Sequence, residues 1–130
     1  MGMVLMKQLK IIVPATPLGL NQLNLHNKNW EWVQKQQLKR KWFYLILEAF
    51  NKPPNELPHF KKAKITLRIY WKDKRRIKDE DNLKGGFKPI LDTIRQLCII
   101  TDDDPEHLEW GYIYQKIGKP ERTEIILREL

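Results

Sequence analysis

Residues 63–71, Ala-Lys-Ile-Thr-Leu-Arg-Ile-Tyr-Trp, alternate without interruption. In an extended chain successive side chains point to opposite faces, so Ile65, Leu67, Ile69 and Trp71 share one face while Lys64, Thr66, Arg68 and Tyr70 share the other. This is the clearest strand in the chain, and it calls for a sheet with one buried side. Three further stretches qualify as its partners. Leu9, Ile11 and Val13 alternate with Gln8, Lys10 and Ile12 before Pro14 stops the run. Residues 108–117 alternate with Leu108, Trp110, Tyr112 and Tyr114 expected on one face. Thr123 to Arg128 returns after the turn at Gly118-Lys119-Pro120, so the last two strands are expected to form an antiparallel hairpin.

Between these strands the period changes to that of a helix. Leu38, Trp42, Leu45, Ile46 and Ala49 predict a helix over about 30–50 with those residues facing the core, and Asn29 is placed to cap it. Residues 15–29 read as loop, and three prolines in 51–59 make that segment a connection. A second helix is expected over about 87–97, with Pro89 in its first turn and a stripe of Phe87, Ile90, Leu91 and Ile94; Gly85-Gly86 is expected to interrupt any helix begun at Asp81. The order is βαβαββ. It implies an α/β (α+β) fold, a mixed sheet of about four strands packed against two helices. The 130 residues suffice for one core and are too few for two, so residues 1–130 read as a single domain.

The net charge of +8 conceals an asymmetry: residues 1–78 hold 17 Lys/Arg against 4 Asp/Glu, and residues 79–130 hold 7 against 12. A basic excess of this size points to a polyanion such as nucleic acid, with a solvated basic face as the alternative. Lys35 and Lys39, one helical turn apart beside Trp32, read either as a phosphate-contacting edge or as ordinary surface lysines. Lys72, Lys74, Arg75, Arg76 and Lys78 immediately precede the carboxylates Asp79, Glu80 and Asp81 and read either as an ordinary charged loop or as a cluster that draws phosphate to a cation held there. The chain has no serine, which removes serine-nucleophile chemistry. One cysteine, Cys98, rules out an intramolecular disulfide and fits a reducing, cytoplasmic setting. His26, His59 and His107 have no structural-zinc spacing. No P-loop or G-x-G-x-x-G is present, so no nucleotide cofactor is expected, and no segment reaches the length of a membrane span.

Basic and acidic halves meet at Lys78-Asp79-Glu80-Asp81-Asn82-Leu83-Lys84, which pairs with Thr101-Asp102-Asp103-Asp104 downstream. Two carboxylates ~4 Å apart repel by about 4 kcal/mol at an effective dielectric near 20, so a cation is required to hold such a cluster together. Mg²⁺ or Mn²⁺ prefers these oxygen ligands. A calcium EF-hand is excluded, because Lys84 stands where its glycine should be and Ile90 where its last glutamate should be.

The ordered set of a Pro- and Asn-bearing loop, a basic helix, K-R-R-x-K-D-x-D-N, a helix containing Asp92, and D-D resembles the RusA family of Holliday junction resolvases over most of the chain. The resemblance implies a homodimeric, Mg²⁺-dependent endodeoxyribonuclease of bacterial or phage origin that cuts four-way junctions and related branched DNA. It implies catalytic, metal-ligating carboxylates at Asp79, Asp81 and Asp103, with Asp102 or Asp104 as the alternatives for the third, and either one or two ions. The family's catalytic lysine falls on Lys88 counting back from Asp92; counting forward from Asn82 reaches Gly85 beside Lys84, because Gly85-Gly86 looks like part of a small insertion. Asn82 would orient a metal-bound water or cap the turn. Lys35, Lys39, Lys72, Lys74, Arg75, Arg76, Lys78 and Lys84 are the expected DNA contacts. Two other classes fit parts of the same pattern: a non-catalytic basic DNA-binding module, and an adaptor that uses its tryptophans and tyrosines as an interface.

Overall fold

The structure is a computed structural model that describes residues 7–19 and 28–130, without the side chains of 28–31. Its elements are β1 (Gln8–Val13), α1 (Lys28–Phe50), β2 (Ala63–Trp71), α2 (Glu80–Gly86), α3 (Lys88–Gln96), β3 (Leu108–Ile117) and β4 (Arg122–Glu129). The four-stranded mixed sheet is present, in the order β1-β4-β2-β3. The fold is α+β, with three α-helices among the described residues where two were expected. Among the described residues no helix is long and apolar enough to cross a membrane.

The expected hairpin of the last two strands is not formed. β4 lies antiparallel between β1 and β2, whereas β3 runs parallel to β2 on the sheet edge. A parallel pair needs a crossover, which α2 and α3 supply. The Gly118 amide then donates to the Trp71 carbonyl at 3.1 Å, carrying the chain around the end of β2 instead of straight back. In its central slot β4 buries Ile125 and Leu127 completely.

The alternation of β2 holds throughout: Ile65, Leu67, Ile69 and Trp71 are all buried. Each such aliphatic side chain removed from water contributes about 1.5–3 kcal/mol. The alternation of β3 does not hold. Ile65 pairs with Trp110 but Leu67 with Ile113, so two residues of β3 face one of β2 and a β-bulge sits at Gly111-Tyr112. Beyond the bulge Ile113, Gln115 and Ile117 take the inner phase. Tyr112 and Tyr114, expected to share the face of Leu108 and Trp110, are moved to the opposite face and are exposed.

Helices α1 and α3 cover the inner face of the sheet. On α1, Trp42 and Ile46 are fully buried, and Leu38 and Leu45 pack against the core as expected. Ala49 instead is exposed, because the four-residue step of the stripe continues from Ile46 to Phe50. The described part of the helix already includes Lys28, so Asn29 lies within it and is not its cap. Of the loop expected over 15–29, residues 20–27 lie outside the described residues. The expected interruption at Gly85-Gly86 is also corrected. Helix α2 runs through both glycines, and the joint falls at Phe87 (φ −82°, ψ −9°), where α3 starts.

Candidate active site

Three contacts hold the acidic motif. Asp73 caps the 3₁₀ turn of Lys74–Arg76 by accepting from the Arg75 amide at 2.9 Å. The Gln115 side chain accepts from the Lys78 amide at 3.0 Å and donates to the Lys78 carbonyl at 2.5 Å, while also accepting from Trp71 Nε1 at 2.9 Å. Asp79 then caps α2, its carboxylate accepting from the Asn82 amide at 3.1 Å. This satisfies one of the free amides of the first turn, and the acidic residues there suit the positive end of the helix dipole.

The segment that follows β1 packs directly against this motif. A Cβ on Gly86 would lie 1.8 Å from the Leu18 carbonyl oxygen, and one on Gly19 would lie 2.8 Å from the Asn82 side chain. The glycines are there because two backbones meet. Gly86 is the contact point for residues 18–19.

One turn along α3 stands the densest charge cluster. Lys88 Nζ bonds the Asp103 carboxylate and lies 3.3 Å from Asp92 Oδ1. The other oxygen of Asp92 takes Lys39 of α1 at 3.2 Å, and Arg95 lies at 4.0 Å from the first. Asp92 and Asp103 are largely buried, with side chains 13% and 15% exposed, whereas Lys88 is 58% exposed. Its ammonium therefore meets solvent from a fixed seat. The hydrogen bond from Lys88 to Asp103, reinforced by the charge of Asp92, outweighs burial and raises the lysine above its ordinary value. Burial alone would push Asp103 up, but Lys88 and Asp102 more than offset it and hold the carboxyl below the usual range. Asp104 points elsewhere and bonds His107 at 2.7 Å, a contact that holds its carboxyl low.

The structure thus brings Lys88, Asp92 and Asp103 together, while Asp79 caps α2 and Asp81 stands in its first turn. Among the described residues no three Asp, Glu, His or Cys side chains converge where an ion could sit. As placed, Asp79, Asp81 and Asp103 do not make a preformed metal site. Lys84 bonds Glu80 at 3.0 Å and lies over the Trp110 ring at 5.5 Å.

The expected DNA contacts divide. Lys39 is spent on Asp92, tying α1 to α3, and Lys35 sits half-buried on α1. Lys72, Lys74, Arg75 and Arg76 are exposed in the turn before the motif. Lys78 lies over the Trp71 ring at 4.7 Å, and burial, then the charge of Arg76, lowers its affinity for a proton. Two residues were passed over by sequence reasoning. Asp92 was legible as the i+4 partner of Lys88, but Gln115 was hidden by the bulge, which alone puts it on the motif's side.

Comparison with the models of known protein families and with curated proteins finds no match to this chain.

Proposed function

We propose that this chain is an endodeoxyribonuclease that cuts branched DNA, four-way junctions above all, in the presence of Mg²⁺ or Mn²⁺. One observation carries the reading: a solvent-facing lysine is seated between two sheltered carboxylates, directly beyond a capped acidic helix and a basic turn. Asp92 and Asp103 keep the Lys88 ammonium charged and aimed. A charge held in that way stabilises the negative oxygen that develops when a phosphodiester is cleaved. Lys72, Lys74, Arg75 and Arg76 supply a field that draws the backbone toward it. That no three ligating side chains converge among the described residues accords with how Mg²⁺ is commonly held, by one or two carboxylates with substrate phosphates completing the shell. We further propose a homodimer, since a junction presents two symmetry-related strands, acting in the cytoplasm of a bacterium or phage-infected cell.

The cap made by Asp79 favours a second reading, in which the acidic motif only starts a helix and the basic half binds DNA without cutting it. Incubation with synthetic four-way junctions and linear duplexes, with Mg²⁺, Mn²⁺ or EDTA, separates the two. The nuclease reading expects metal-dependent incision of the junction, lost in Asp81→Asn, Asp103→Asn and Lys88→Ala with binding retained. Binding without incision under every condition establishes the module instead. Sedimentation equilibrium, alone and with junction DNA, tests the dimer.

A further inference from the structure

The bulge in β3 leaves the outer face of the sheet with a pattern that the proposed active site does not use. Pairing places Tyr114 beside Arg68, and Tyr70 between Lys116 and Arg122. Lys10, Lys64 and Arg128 extend the same face, so six cations stand there against Glu109 and Glu124. Glu124 is neutralised, with Lys10 at 3.2 Å and Arg122 at 3.1 Å, and is nearly buried. The aromatic rings are open to solvent: Tyr112 is 71% exposed and Tyr114 45%. They pair with each other at 5.9 Å between centroids, and Arg68 lies over Tyr114, also at 5.9 Å. Between Tyr70 and Tyr114 opens a cleft of about 280 Å³ whose rim carries Arg68 and Lys116. Arg122 stacks on the Tyr70 ring at 3.7 Å and fixes that wall.

We infer that this outer sheet face is a platform for single-stranded nucleic acid, a base stacking on Tyr114 at the Tyr70 cleft and the flanking phosphates meeting Arg68 and Lys116. Exposed rings interleaved with cations match an unstacked strand, which offers both base faces and a charged backbone. A duplex offers only the second, because its base faces are already covered. A second copy of this face is disfavoured by like charge, since six cations less two carboxylates leave a net four positive charges to meet four. The inference goes beyond the nuclease reading and does not depend on it, since binding is measured where no metal allows cleavage.

The test is fluorescence anisotropy in EDTA with labelled oligo-dT of about 15 nucleotides, a length within the span of known single-strand platforms. A duplex of equal length is the comparison. Expected is several-fold tighter binding of oligo-dT, weakened about tenfold by Tyr114→Ala and preserved by Tyr114→Phe. Arg68→Gln should flatten the dependence of log affinity on log salt by about 0.7. Circular dichroism melts confirm that these surface variants fold. Equal affinity for duplex and oligo-dT, or Tyr114→Ala binding as the parent does, overturns the assignment and returns the face to a solvated surface. Oligo-dT binding that is lost in Lys74→Gln and Arg75→Gln but kept in Tyr114→Ala and Arg68→Gln also overturns it, by moving the strand to the motif turn.

Discussion

Replacing Gly86 by alanine tests the packing on which the candidate site is built. In an exposed helix interior the exchange would stabilise by about 1 kcal/mol, because alanine loses less backbone freedom on folding. Here the added Cβ would lie 1.8 Å from the Leu18 carbonyl oxygen, 2.7 Å from its carbon and 2.8 Å from the Gly19 Cα. Carbon atoms in contact prefer about 3.5–4.0 Å, so residues 18–19 must retreat by more than an ångström. They are backbone, not a flexible side-chain tip. The segment behind them is held where Thr123 Oγ1 donates to the Ala15 carbonyl at 2.7 Å and Thr16 Oγ1 donates to Glu121 at 2.8 Å. Overpacking of this kind costs about 1–3 kcal/mol and here more than cancels the helical gain. A net loss of up to about 2 kcal/mol is expected, or a fall in melting temperature of up to roughly 8 °C for a domain of this size. Urea and thermal unfolding of the variant measure it. A variant that melts higher than the parent, by the helical gain alone, would show that residues 18–19 do not rest on α2.

Asp79→Ala should cost about 1 kcal/mol in urea unfolding through loss of the helix cap, whereas Asp79→Asn should keep most of that stability; if both variants also lose incision, capping and catalysis are separated at one residue. Stability should fall in acid: Asp103 and Glu124 have carboxyls held below their ordinary 3.8 and 4.5, so their contribution is present above those values and is lost as pH falls through the lower folded ones. Urea midpoints followed from pH 6 to pH 2, roughly the span of these titrations, should drop mainly below about 4 in the parent and less steeply in Asp103→Asn.

How far the chain could be read from its residues differs by element, for physical reasons. β2 was legible because a nine-residue strand buried on one face repeats every second residue and leaves no other period open. The buried stripe of α3 was legible in the same way. Pairing was not, since adjacency in sequence suggests a hairpin and only the parallel partner of β2 excludes it. Gly85-Gly86 misled because glycine is both a helix breaker and the residue that lets backbones touch, and only the neighbour at Leu18 decides which applies. At the site, the Lys88–Asp92 pair follows from i,i+4 spacing. The Lys88–Asp103 contact joins residues 15 apart through the turn after α3, where no periodicity links them.

That turn and the bulge share a property that local pattern does not reveal: each changes what every later residue faces. Without the extra residue in β3, Leu67 would pair with Tyr112 and Trp71 with Lys116, putting a lysine at the buried end of β2. With it, Trp71 faces Ile117 and Gln115 reaches both Trp71 Nε1 and the backbone of Lys78. The bulge forms at Gly111, where a Cβ would lie 2.6 Å from Thr66 Oγ1 and 3.1 Å from the Ile65 carbonyl oxygen. A side chain there would press β3 away from β2. The same one-residue step turns Tyr112 and Tyr114 outward beside Arg68 and Lys116. The anchor of the acidic motif on one face and the aromatic, basic surface on the other therefore have one structural cause, and a change that removed the bulge would be expected to disturb both together.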